Sequence, residues 1–206
     1  MKNPLHYQLS EYDCGPTSMH NAMSFLFERE EIPPEVIRNI MLYCLDCWDT
    51  KGIPGKKGTS CTAMMFLCHW LDGLGRIGQL PVSGQYISGK NVYVGKTGLI
   101  HDTLICKGAA VVRLHYEVPH YVLFTGEQGE HIQMFDPYYQ EEAFSQPDVQ
   151  LIVDHPFSYN RLVPFSYFNK ETTELYSLGT MEEREAVLLF NEHTKRTMDK
   201  TIEYFI

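Results

Sequence analysis

Four residues of this chain have the types and order that nucleophilic thiol chemistry uses. Gln8 precedes Cys14 in the run Gln8-Leu-Ser-Glu-Tyr-Asp-Cys14-Gly15-Pro16, and His120 and Asp136 follow far downstream. In such a set the cysteine sulfur attacks a carbonyl carbon and the imidazole takes its proton. The carboxylate holds the imidazole in place, and the glutamine amide donates to the oxyanion that forms. A lone cysteine is more often a small buried hydrophobe, and a lone histidine or Asp-Pro pair has ordinary structural uses. The catalytic reading therefore depends on these four residues meeting in space.

The elements that would bring them together can be read from the sequence. Met19, Ala22, Met23 and Leu26 recur at helical spacing, so 14–27 is expected to be a helix. Pro16 suits its first turn, where a missing N–H costs nothing. Cys14 then stands at a helix N-terminus, where the positive end of the helix dipole favours a thiolate and its backbone N–H points outward.

The other half is a hairpin. Ala109–Leu114, His120–Thr125 and Ile132–Phe135 are short runs rich in Val, Leu, Ile and aromatics, as strands are. Glu127-Gln128-Gly129 between the last two reads as a three-residue loop with Gly129 in the left-handed position. Gly126 would then pair with Glu130, and the same register would set His120 directly opposite Asp136. Residues so placed share a face with Cβ atoms ~4.5–5.5 Å apart. A two-residue loop would shift the register by one and lose this pairing. His115 and His131 are rivals for His120, and neither meets a carboxylate in this register.

Elsewhere the sequence predicts a helix over about 33–46, opening with Pro33-Pro34-Glu35, and a third capped by Thr59 or Ser60 and running to about Asp72. Gly73 to Gly89 reads as loop with short extended pieces, and Val149–Val153 as a strand. Thr180-Met-Glu-Glu183 has the form of a capping box, with Lys195-Arg196 further on, so a helix is expected at about 181–196. Helices first and strands later make the expected class α+β with an antiparallel sheet. Residues 1–145 form the expected core, and 146–206 an extension packed on the same domain, in which no catalytic chemistry is evident.

Bulk composition narrows the function classes. The chain has 206 residues, 44% hydrophobic and 13% aromatic, enough for a packed core. A net charge of -9 argues against nucleic acid, which demands clustered Lys and Arg. No run approaches the ~18 apolar residues of a membrane span, and the N-terminus lacks a signal-peptide core. A cytoplasmic location is the expectation, and with it six reduced cysteines rather than disulfides. Cys44-Leu-Asp-Cys47 lacks the second pair a zinc site needs and closes a helix, so packing is its expected role. The Met64–Leu67 run with Trp70 and Leu71 reads as a core helix face.

Gln8-x5-Cys14 with Asp13-Cys14-Gly15 resembles the start of the bacteriocin-processing, double-glycine leader peptidases. Gly58-Thr59-Ser60, Gly108-Ala-Ala-Val-Val, His120-Tyr-Val-Leu and Asp136-Pro137 resemble later motifs of the same family, over roughly residues 5–140. The resemblance implies a papain-like fold. It makes Cys14 the nucleophile, His120 the base, Asp136 its orienter and Gln8 the oxyanion donor. It implies no cofactor and no metal. The implied partners are a peptide or acyl-thioester substrate and, transiently, a peptide exporter, because members are usually fused to one. Three activities stay open: peptide hydrolysis, acyl transfer to an amine through the same site, and peptide binding without catalysis.

Overall fold

A computed structural model describes residues 1–197. The class is α+β. Helices α1 (Cys14–Leu26), α2 (Pro34–Cys44) and α3 (Cys61–Arg76) come first. They are followed by β1 (Val82–Ser88), α4 (Leu99–Ile105), β2 (Ala109–Tyr116), β3 (Val118–Gln128) and β4 (His131–Phe135). Strands β5 (Gln150–Leu151), β6 (Arg161–Pro164) and β7 (Glu185–Asn191) complete a seven-stranded antiparallel sheet in the order β1-β7-β2-β3-β4-β6-β5. No helix among the described residues is long and apolar enough to cross a membrane.

The sheet is covered on both sides. Ala109 and Val111 of β2, Tyr121 and Leu123 of β3, and Val187 and Leu189 of β7 face a core completed by α1, α2 and α3. Their neighbours Ala110, Val112, Val122, Phe124, Ala186 and Leu188 face a second core, with Ile100 and Leu104 of α4 and with Phe168, Tyr176 and Leu178. Each central strand therefore feeds two cores from alternate residues, which is why these strands read as unbroken apolar runs.

That pattern corrects the helix expected at 181–196. Residues 185–191 form β7, inserted between β1 and β2 with Val187 paired to both Tyr86 and Val111. The Thr180–Glu183 signal forms locally: the Thr180 N–H and hydroxyl both donate to the Glu183 carboxylate at 3.0 Å. It closes a turn rather than a helix, because the apolar run after it is more stable between two strands. A doubly buried strand and a buried helix segment have the same composition over this length.

The loop expected over Gly73–Gly89 is corrected as well. Helix α3 continues to Arg76, and β1 begins at Val82. Gly75 does not break the helix. A Cβ there would run into the Val82 carbonyl group, so the glycine permits close packing of α3 on the strand that follows. Helix α4 had no signal strong enough to be read in advance, and the strand expected at Val149–Val153 shortens to Gln150–Leu151. Residues 198–206 of the C-terminal extension lie outside the described residues.

Candidate active site

Cys14 is the first residue of α1, and the Asp13 carbonyl accepts the first intrahelical bond, from the Thr17 N–H at 3.0 Å. Helical geometry leaves the N–H groups of the first turn, that of Cys14 included, without intrahelical partners. The Asp13 side chain, nearly buried, gathers the preceding loop: it accepts from the Leu9 N–H at 3.0 Å, the Ser10 N–H at 2.7 Å and the Ser10 hydroxyl at 2.8 Å. Gly15 lets this helix start lie against the segment before α3, since a Cβ there would be 2.8 Å from Thr59 Cβ. The Asp-Cys-Gly run is thus a packing unit: Asp13 shapes the loop, Cys14 opens the helix and Gly15 admits Thr59.

One turn further, the Ser18 hydroxyl donates to the Tyr121 carbonyl at 2.9 Å. Cys14 and Ser18 share a helix face. His120 is the neighbour of Tyr121, so this bond fixes α1 against β3 next to the residue that carries the imidazole.

His120 Nε2 lies 2.7 Å from Asp136 Oδ1. An ionised carboxylate only accepts, so Nε2 carries the proton and Nδ1 is the nitrogen left for the thiol. The pair is dry: His120 is nearly buried and Asp136 fully so. Burial alone would lower the His120 pKa. The charge and hydrogen bond of Asp136 outweigh it, Cys14 adds to the effect, and the pKa is raised to about 10. Burial alone would likewise raise that of Asp136. His120, then Arg161 and the Tyr138 N–H, hold the carboxyl below its ordinary value. Tyr116 packs against the imidazole with centroids 5.9 Å apart, and against Tyr138 at 5.3 Å, walling the pair off from water.

The route by which His120 reaches Asp136 differs from the expected one. The connection is the two-residue turn Gly129-Glu130, with Gln128 paired to His131 and Gly129 first at φ +62°. Glycine with positive φ in that place is what a type II′ turn requires. Such a turn alone would have put the two residues on opposite faces. A β-bulge between Phe124 and Gly126 absorbs the extra residue, so Leu123 pairs with Phe135. Carried one step further, this sets Asp136 opposite Val122 and leaves His120 on the same face as Asp136, two positions along. Diagonal neighbours ~7–8 Å apart are still bridged by long side chains.

Gln8 is tethered next to Asp136, its N–H donating to the Pro137 carbonyl at 2.8 Å. Its side-chain Nε2 donates to the Ser10 carbonyl at 2.9 Å, and Oε1 is buried without a hydrogen-bond partner. The amide group is therefore bonded to the loop before Cys14 through one of its two N–H donors. Of the rival histidines, His115 comes within 3.8 Å of Glu183 Oε2, a carboxylate the expected register did not offer it. His131 ends the β3–β4 turn.

Three residues of the extension surround Asp136. Asn160 bonds both sides of its backbone, Oδ1 accepting from the Asp136 N–H and Nδ2 donating to the Asp136 carbonyl, each at 2.8 Å. The Tyr176 hydroxyl donates to Oδ2 at 3.0 Å. Arg161, 1% exposed, donates to the Tyr138 carbonyl at 3.2 Å with its guanidinium over the Phe144 ring. Nothing in its sequence surroundings marks Tyr176. For Asn160 and Arg161 the available sign was a run of polar residues, Ser158-Tyr-Asn-Arg161, leading into an apolar strand.

No protein-family model matches the chain, and no curated protein matches it. The other cysteines differ from Cys14 in setting. Cys44 and Cys68 are wholly buried; burial pushes the thiol of Cys68 up to about 12 and that of Cys44 higher still. Among the described residues no group of three or more His, Cys, Asp or Glu side chains is placed to hold a metal ion.

Proposed function

We propose that this chain is a papain-like thiol hydrolase, a cysteine peptidase of the kind that processes bacteriocin leader peptides, acting through an acyl-thioester on Cys14. The observation that carries the reading is the buried His120–Asp136 pair, with Nε2 bonded to the carboxylate at 2.7 Å and Cys14 among the groups that raise the pKa of the ring. The resemblance of residues 5–140 to that peptidase family supports the same roles.

The chemistry follows from the protonation states. His120 takes the Cys14 proton at Nδ1, giving a thiolate and an imidazolium that Asp136 stabilises through Nε2. The thiolate attacks the carbonyl carbon of the substrate, and the oxyanion is met by backbone N–H groups at the start of α1. As the tetrahedral intermediate collapses, the carbon–leaving-group bond breaks and Nδ1 returns the proton to the leaving amine. Neutral His120 then removes a proton from water, which attacks the thioester. The free acid leaves, and Cys14 recovers its proton. In this reading one Nε2–H of Gln8 holds the Ser10 carbonyl and the other is left to donate to the oxyanion.

The experiment is a digest of a peptide library by the full-length protein and by Cys14→Ala, read by mass spectrometry, with a parallel incubation with an acyl-thioester and an amine. Cleavage that depends on Cys14 is the expected result. Amide formation without peptide cleavage would replace hydrolysis by acyl transfer. Absence of both, with Cys14 alkylated no faster than in His120→Ala, would overturn the proposal and leave a peptide-binding module.

A further inference from the structure

The Asp136 carboxylate is held by three donors. Oδ1 accepts from His120 Nε2 at 2.7 Å and from the Tyr138 N–H at 2.8 Å. Oδ2 has one hydrogen-bond donor among the described residues, the Tyr176 hydroxyl at 3.0 Å. Asn160 fixes the backbone of Asp136 but not the rotation of its carboxyl group.

Tyr176 is held in a conformation it would not choose. Its φ is +60°, in the left-handed region that bulky side chains avoid. The surroundings impose it. The Tyr176 N–H donates to the His115 carbonyl at 2.7 Å, and the His115 N–H to the Ser177 carbonyl at 2.9 Å. The Leu178 N–H donates to the Phe168 carbonyl at 2.7 Å, and the Ser177 hydroxyl is bonded to the Thr172 and Glu174 carbonyls. The ring is fully buried, packed between Tyr116 and Phe144 with both centroids at 5.9 Å. Filling the core needs only that ring, and a phenylalanine would supply it. The hydroxyl is a buried polar group that costs stability unless bonded, and its partner is Asp136.

We infer that Tyr176 is a positioning residue of the Cys14–His120–Asp136 site: its hydroxyl pins Oδ2 of Asp136 and so fixes the carboxylate plane in which Oδ1 meets His120. The inference rests on the thiol-acyl reading proposed above. It gives the C-terminal extension a part in the chemistry through Asp136, without contact with substrate. The charged and titratable groups facing Asp136 are His120 from β3, Tyr116 from β2, Arg161 from β6, Tyr138 after β4 and Tyr176 itself, with Cys14 beyond the imidazole.

The test is made on the full chain with Tyr176→Phe, which keeps the ring and its packing and removes only the hydroxyl. The rate of iodoacetamide reaction at Cys14 is measured against wild type and His120→Ala. The His120 Nε2–H resonance is followed by nitrogen-labelled histidine NMR. Tyr176→Phe is expected to slow Cys14 alkylation roughly tenfold, the equivalent of one hydrogen bond to a charged group. It is also expected to shift or broaden the His120 resonance as the carboxylate gains freedom to turn. A purely packing role would move neither. Wild-type alkylation and an unchanged resonance in Tyr176→Phe, with His120→Ala slow, would overturn the inference and leave the thiol reading standing. Wild-type alkylation in His120→Ala would remove both.

Discussion

His120 reaches Asp136 diagonally across the β3–β4 hairpin, and the bulge at Thr125 is what allows it. The two-residue turn at Gly129 shifts the pairing by an odd step, and the bulge adds the further residue that restores a common face. One consequence concerns Asp136 itself. Asp136→Asn removes the charge that keeps Nε2 protonated and stabilises an imidazolium. Alkylation of Cys14, and any Cys14-dependent turnover, is expected to fall by about 10²–10⁴. A loss smaller than threefold in a variant that melts like wild type would separate Asp136 from the chemistry.

The His120–Asp136 pair also ties stability to pH. The folded pKa of His120 is raised from 6.5 to about 10, so its contribution is complete below pH 6.5 and is lost as pH climbs toward 10. Asp136 is held below its ordinary 3.8, so its contribution is present above that value and is lost as pH falls through the lower folded value. Wild type is expected to melt roughly 3 °C or more lower at pH 10 than at pH 6.5 through this pair. His120→Gln should show a smaller decline over the same interval. Equal slopes in thermal scans of the two proteins would refute the linkage.

Gly15 gives a test of the helix start. Gly15→Ala drives a methyl group into the Thr59 side chain, with Thr59 Cβ only 2.8 Å away. A cost of about 1–3 kcal/mol is expected from this overpacking, measured by urea unfolding. Adding Thr59→Gly, which removes Cβ along with the hydroxyl and methyl groups, should recover much of it, a coupling that non-contacting residues do not give. Additive effects in the double variant would show that the two residues do not meet.

Glu185 distinguishes strand from helix at the C-terminal end. In β7 its buried carboxylate accepts from the Tyr121 hydroxyl at 2.6 Å and the Tyr86 hydroxyl at 2.7 Å, with Arg113 Nε at 3.8 Å. Glu185→Ala strands these partners and is expected to cost about 3 kcal/mol. On the first turn of an exposed helix the same change would stay within about 0.5 kcal/mol. Equilibrium denaturation gives the answer directly.

Sequence reasoning succeeded where a local period was strong and failed where long-range packing decided. The α1 and α2 patterns, and the β2, β3 and β4 runs, carried enough apolar spacing to be placed within a few residues. The helix start at Cys14 was legible because Pro16 and the apolar period that follows are local signals. The hairpin register was not, because a bulge at Thr125 leaves no composition of its own. Gly75 looked like a breaker because the strand it admits lies outside any local window. Tyr176 and Asn160 act on Asp136 from 40 and 24 positions away, and no spacing rule connects them.

The position of β7 has a consequence for how the protein comes into being. The strand between β1 and β2 is the last described strand in the chain, so the sheet cannot close until residue 191 is in place. A chain made from its N-terminus would display α1 and its thiol well before Tyr176, Asn160 and β7 exist to order the far side of His120. Ribosome-bound intermediates would thus carry Cys14 before the groups that hold Asp136 and His120 are in place. Long-range closure of this kind is slow compared with helix formation, so maturation is set by the sheet, not by the helix that carries the cysteine.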